Sequence, residues 1–272
     1  MANRMRIAVA GVSGRMGRML VREIAGTGDA VLSGAFEASG HADIGKDAGA
    51  LAGMANAGVT IAADAAAVIA GADALLDFTA PAATVAHAEL AAQARIVHVI
   101  GTTGLDKDQA SALHRAAKHT PIVWGDNMSV GVNLLRALVR RVAGILGPDA
   151  WDIEVVEMHH KHKVDAPSGT ALALGRAAAA GRGVELGTVA ARGRDGHTGA
   201  RRTGDIGFAA LRGGDVVGDH TVIFAGTAER VEIGHRATGR EIYARGAVRA
   251  ALWARGRAPG LYDMADVLGL KD

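Results

Sequence analysis

At 272 residues the chain exceeds the usual single-domain size, so two lobes are expected, and 49% apolar residues are ample for buried cores. A formal net charge of only +2, with three Trp, two Tyr and four Phe to stack on bases, argues against nucleic-acid binding. Zero cysteines exclude disulfides, thiolate metal ligands and Cys nucleophiles, and no stretch is long and apolar enough to span a bilayer.

The N-terminal run MANRMRIAVAGVSG ends in glycines and does not continue as a signal-peptide core, so a soluble cytoplasmic protein is expected. Short apolar runs at 6–10, 30–36, 74–78, 96–100 and 121–125 read as strands buried on both faces. Between them, 15–26, 81–93 and 107–119 carry helical patterns. This alternation predicts a doubly wound parallel sheet covered on both sides. After residue 130 the texture changes. Residues 130–147 read as a long amphipathic helix, followed by strands at 151–160, 207–214, 219–226 and 229–237. With no helix between the last three, they predict an antiparallel or mixed sheet in a second lobe. Residues 240–255 return to helix, and the Gly- and Arg-rich stretch 181–207 reads as a long mobile loop.

The first strand runs into GVSGRMG, with glycines at 11, 14 and 17, and then into a helix. This is a shifted form of the dinucleotide fingerprint. Gly11 makes the tight turn, Gly14 lets a pyrophosphate approach the backbone, and Gly17 lets the helix sit close to the sheet. The helix N-terminus then offers free N–H groups and a positive dipole end. A glycine loop can be no more than a tight turn. Here it follows the first strand, opens a helix, and is followed 20 residues past Gly17 by Glu37, placed to accept hydrogen bonds from ribose hydroxyls. Ala38 after it offers no cation for a 2′-phosphate, which favours NADH over NADPH, with Arg15 as a possible compensating charge.

In HHKHKVDAPSGTA, residues 159–171, three histidines and two lysines fill five positions. A metal site, a solvated basic loop and a pocket for a small anion are the three readings. On a strand, His160 and His162 share a face while His159 points away, and no helical His pair or Cys supports them as ligands, so no metal is expected. Asp165, Ala166 and Pro167 stiffen the approach to a helix opened by Ser168, Gly169 and Thr170, where Ser168 or Thr170 could be an N-cap. A helix N-terminus beside His and Lys cations suits a carboxylate and supplies proton transfer near neutrality.

GVSGRMGR (11–18), DFT (77–79), VIGTTG (99–104), NMSVGVN (127–133), EMHHKHKVDAPSGTAL (157–172), RDGHTG (194–199), GDIGFA (204–209), GDHTVIF (218–224) and GAVRAALW (246–253) occur in this order. Together, over nearly the whole chain, they resemble the 4-hydroxy-tetrahydrodipicolinate reductase (dihydrodipicolinate reductase) family of lysine and diaminopimelate biosynthesis. The resemblance implies a Rossmann-type doubly wound lobe from 1–129 and 240–272, with an inserted α+β substrate and tetramerisation domain, 130–239, on a mixed sheet. It implies reduction of a cyclic hydroxy-imine dicarboxylate by NADH or NADPH with loss of water, in a homotetramer. Carried over, His159 and Lys163 handle protons, while His160, Lys163, Ser168, Gly169 and Thr170 hold the substrate carboxylates. Gly11, Val12, Ser13, Gly14, Arg15, Met16, Glu37, Gly101, Thr102, Thr103, Gly125, Asp126, Asn127 and Met128 line the cofactor. Two positions depart from the pattern. Ala38 and Ala80 stand where many or some members carry Arg, which removes positive charge along the cofactor path. A redox-sensing NAD-binding regulator would need no His159, Lys163 or Ser-Gly-Thr helix start. A dehydrogenase of an amino acid or semialdehyde is the other alternative.

Overall fold

A computed structural model of the protein describes residues 4–271. The chain divides into two compact units, one of residues up to Val130 with those from Glu241 onward, the other Gly131–Arg240.

The first unit runs β1 (Met5–Ala10), α1 (Arg15–Gly26), β2 (Ala30–Phe36), α2 (Ala48–Leu51), β3 (Ile61–Ala62), α3 (Ala65–Ala70), β4 (Ala74–Asp77), α4 (Pro81–Ala94), β5 (Val97–Ile100), α5 (Lys107–Ala116) and β6 (Pro121–Trp124). The second contains α6 (Val130–Ile145, from its second residue), β7 (Asp152–His159), α7 (Gly169–Gly181), α8 (Leu186–Val189), β8 (Ala190–Ala191), β9 (Ile206–Arg212), β10 (Gly218–Gly226) and β11 (Glu229–Ala237). The chain then returns to the first unit with α9 (Glu241–Ala254), β12 (Gly260–Tyr262) and α10 (Met264–Leu268).

In the first unit seven strands lie in the order β12-β6-β5-β4-β1-β2-β3, all neighbours parallel. Every residue of β4 and β5 is buried, as strands covered on both faces must be. Helix α1 turns Gly17, Leu20, Val21 and Ile24 inward, a stripe at helical spacing that packs with Ile7 and Val9 of β1. The strand order reverses around β1, between β2 and β4, and ligands of such sheets bind beyond the strand C-termini at that point.

The second sheet is mixed. Its order is β11-β10-β7-β9-β8, with β10 antiparallel to both neighbours and β7, β9 and β8 mutually parallel. Along β7, alternate residues Ile153, Val155, Glu157 and His159 are buried. Ile153 and Val155 join a core with Leu135 and Val139 of α6 and Leu174 and Ala178 of α7.

Two expectations need correction. The strand expected over 151–160 ends at His159. The His160 amide donates to Val216 O at 2.7 Å and the Lys163 amide to His160 O at 3.1 Å, so residues beyond 159 form a turn and strand alternation does not set their directions. The stretch 181–207 is not a free loop either. It contains α8 and β8, and Arg194 and Arg201 pin it to Glu154 and Asp152 of β7 through bonds of 2.7–3.1 Å. The elements that sequence patterning passed over, α2, β3, α3, α8, β8, β12 and α10, have two to six residues, too few to show a period. Among the described residues no helix is long and apolar enough to cross a membrane.

Candidate active site

In the first unit the glycine loop links β1 to α1. Gly11 has φ +62°, and a Cβ there would meet Thr79 Cγ2 at 2.8 Å, so the position demands glycine twice over. A Cβ on Gly17 would lie 2.3 Å from Gly11 O and 2.6 Å from Val12 Cα. Gly14 caps α1 with no side chain, and no acidic residue stands in its first turn, so the first amides keep their donors for an anion. Arg15 is exposed at the first helical position. These residues fit a dinucleotide pyrophosphate.

Glu37 follows β2 and does more than wait for a ribose. Its carboxylate accepts the Ser13 amide at 2.7 Å and the Ala38 amide at 3.3 Å, tying the glycine loop to the end of β2. The other two loops leave β5 and β6 at the same edge of the sheet. A Cβ on Gly101 would meet the Phe78 ring at 2.0 Å, so the backbone there packs flat against the aromatic face. The side chains of Val12, Thr102 and Met128 are buried, which leaves these three only their backbone for a ligand, whereas Thr103 and Asp126 are exposed. Asn127 Oδ1 accepts the Ser129 amide at 2.8 Å and closes the turn after Gly125.

Beneath the 101–103 loop lies a polar network that sequence reading did not find. Fully buried Asp77, ending β4, accepts the Thr79 amide at 3.0 Å and hydroxyl at 2.6 Å, with His87 Nδ1 at 2.8 Å and His98 Nε2 at 3.4 Å. Thr84 donates to Thr102 at 2.8 Å. Burial alone would raise the Asp77 carboxyl, but the hydrogen bonds and charges of His87 and His98 outweigh it and hold it far below the ordinary range.

In the second unit the basic cluster is organised by a residue that sequence reading passed over. Glu157, 1% exposed, receives His159 Nδ1 at 2.6 Å, the Ser168 amide at 3.0 Å and both Arg212 terminal nitrogens at 2.8 and 2.9 Å. Burial pushes its carboxyl up, yet the Arg212 fork, His159 and the Ser168 amide together hold it below the usual carboxylate value. His220, opposite Glu157 on β10, packs edge-on to His159 with centroids 5.0 Å apart. Burial, reinforced by His159, pushes His220 down to about 4, so it is uncharged at neutral pH.

Of the predicted substrate residues, Ser168 is 2% exposed and fully engaged. Its hydroxyl caps α7 through the Ala171 amide at 3.1 Å and meets His220 Nε2 at 3.0 Å, while its amide goes to Glu157. Ser168 therefore builds the turn. Gly169 is exposed at the first helical position and Thr170 is half-buried beside it. Lys163 Nζ lies 2.7 Å from Asp165, holding that carboxyl below its ordinary value. His160 keeps Nδ1 buried with no hydrogen-bond partner among the described residues. No group of three His, Asp or Glu side chains among the described residues is disposed to hold a metal ion.

Comparison with known proteins gives the family and the fold. Residues 5–128 match the family model described as dihydrodipicolinate reductase, N-terminus, and residues 131–268 that described as dihydrodipicolinate reductase, C-terminus. The chain is 59% identical over 268 residues to a 4-hydroxy-tetrahydrodipicolinate reductase of Rhodopseudomonas palustris strain BisB18, covering 98% of each chain. It is 58% identical to 4-hydroxy-tetrahydrodipicolinate reductase 1 of Mesorhizobium japonicum, covering 99% of this chain and 98% of that one. Among solved structures, a dipicolinate-bound dihydrodipicolinate reductase from Paenisporosarcina sp. TG-14 superposes with a TM-score of 0.78 at 22% identity, over 97% of this chain and 98% of that one. That similarity speaks to the fold.

Proposed function

The chain belongs to the dihydrodipicolinate reductase family, and from that premise we propose how its residues carry the family's reaction. That reaction reduces 4-hydroxy-tetrahydrodipicolinate to tetrahydrodipicolinate with loss of water, in lysine and diaminopimelate biosynthesis, using a pyridine nucleotide. The observation that carries the assignment is His159, bonded through Nδ1 to Glu157 in a cationic cluster beside the N-terminus of α7.

NADH or NADPH, when bound, supplies the hydride. The first-turn amides of α1, Arg15 to Gly17, would hold the pyrophosphate, Glu37 the ribose, and the loops 101–103 and 125–128 the remainder. NADH is the preferred reductant, because Glu37 repels a 2′-phosphate and exposed Ala38 offers it no donor. NADPH is the weaker alternative.

The substrate is a dicarboxylate. Lys163, the orphaned nitrogen of His160, and the α7 start at Gly169 and Thr170 hold its carboxylates, with Ser168 fixing the turn beneath them. Loss of the ring hydroxyl as water leaves an unsaturated imine, and hydride added to its ring carbon, with the electron pair shifting toward nitrogen, leaves an enamine. His159 gives a proton to its ring carbon from Nε2, the nitrogen that is not bonded to Glu157, and Lys163 supports the proton transfer while its charge balances the carboxylates. The second unit's sheet joins four copies into a homotetramer, and the enzyme works in the cytoplasm.

Steady-state rates with synthase-generated substrate, followed by nucleotide absorbance, test this. His159→Ala and Lys163→Ala should each lower kcat roughly 10²–10⁴-fold. If both folded variants turned over like wild type, the assignment would fail. Comparable kcat/KM for NADH and NADPH would overturn the cofactor preference.

A further inference from the structure

Two strands and a helix start converge on the carboxylate of Glu157. It lies two residues before His159 on the buried face of β7. Both side chains are inside the fold because they continue the alternation of Ile153 and Val155. We propose that Glu157 is a positioning residue for the proton transfer, holding His159 in the Nδ1–H tautomer so that Nε2 carries the mobile proton. The proposal rests on His159 being the proton donor.

An ionised carboxylate only accepts hydrogen bonds, so the nitrogen 2.6 Å from Glu157 Oε2 must be the one that keeps its hydrogen. Glu157 stays ionised at neutral pH because the Arg212 fork and the Ser168 amide stabilise its charge. The remaining nitrogen, Nε2, faces Gly218, where an added Cβ would stand 3.0 Å away, so a methyl group there would crowd the atom assigned to the transfer. The same carboxylate binds the turn that opens α7, so donor and anion-binding helix start share one anchor.

The charges around His159 can be named from every side. Glu157 lies on its own strand and Arg212 on β9. His220 lies on β10, uncharged near neutrality, with His235 paired to it on β11. The turn beyond carries His160, Lys161, His162 and Lys163, with Asp165 on Lys163. Glu157 is the carboxylate hydrogen-bonded to the ring. A mere counter-ion for Arg212 would matter for stability. An anchor for His159 must also act on catalysis through that ring.

Protein labelled with ¹⁵N-histidine gives the first measurement and needs no variant. The neutral His159 ring should show its proton on Nδ1, and an Nε2–H ring would overturn the proposal. Glu157→Gln, checked by melting, should lower kcat roughly 10–100-fold by removing the charge from a charge-assisted bond. Glu157→Asp should recover part of the loss. In a His159→Gln background, Glu157→Gln should add nothing to the loss in kcat, whereas an equal loss in both backgrounds would mean that Glu157 acts elsewhere. If His159→Gln itself turned over normally, His159 would not be the donor, and the tautomer spectrum would still judge what Glu157 does to the ring.

Discussion

Gly17→Ala separates a glycine kept for packing from one kept for a phosphate. The added Cβ would lie 2.3 Å from Gly11 O and 2.6 Å from Val12 Cα, where ordinary contact begins at 3.4 Å, and both neighbours are backbone that cannot rotate away. Relief requires the start of α1 to move off the loop by about 1 Å, an overpacking that costs roughly 1–3 kcal/mol. For a chain of this size each kcal/mol lowers the melting temperature by roughly 2–4 °C. Nucleotide binding should suffer as well. The first-turn amides move with the helix, and losing one charge-assisted hydrogen bond of roughly 1.5–3 kcal/mol weakens NADH binding about 10–100-fold. Calorimetry with NADH, beside thermal melts of the apo protein, reads the two effects separately. A variant that melts lower yet binds NADH as tightly as wild type would refute the phosphate role and leave Gly17 a packing residue.

Three further outcomes are expected. Ala38→Arg should raise NADPH efficiency roughly tenfold or less, since the position is exposed. The gain should fall mainly on KM and shrink in high salt, and an unchanged NADPH/NADH ratio would show that another cation already serves the phosphate. Glu37→Ala should weaken NADH binding and also loosen the glycine loop through the lost Ser13 bond, read as faster exchange of the Ser13 amide; an unaltered exchange rate would contradict the observed tie. His220→Gln should flatten the pH dependence of stability. The folded-state value is about 4 against 6.5 for the free ring, so between those values the unfolded chain binds a proton that the folded chain refuses. Stability is full above pH 6.5 and falls toward pH 4, by up to about 3 kcal/mol, and urea-melt stabilities that change equally with pH in variant and wild type would contradict this.

Much of the architecture is local and could be read along the chain. Strand runs such as 74–78 and 96–100 announce themselves because strands covered on both faces need mostly apolar sequence. The glycine loop is legible because close backbone approaches tolerate no other residue at Gly11 and Gly17. The Ser-Gly-Thr helix start is legible because capping is a contact between residues three apart. One signal of the hidden anchor was present: Glu157 and His159 share parity with Ile153 and Val155, so a core-facing strand had to bury both and find partners for them.

By itself the sequence determined the class of each lobe, the nucleotide loop and the presence of a cationic cluster before a helix. Tertiary structure alone decided which histidine of that cluster is gripped and by what. The strand ends at His159, so its neighbours leave the sheet, and Glu157 takes its fork from Arg212, 55 residues away. Ser168 is likewise spent on His220, 52 residues on, and Asp77 on Thr79, His87 and His98. Such pairings depend on strand register, and register is set when β9 and β10 dock on β7 and bury one common face. A period of two read along one strand says which residues must turn inward, and only the neighbouring strands say what they meet there.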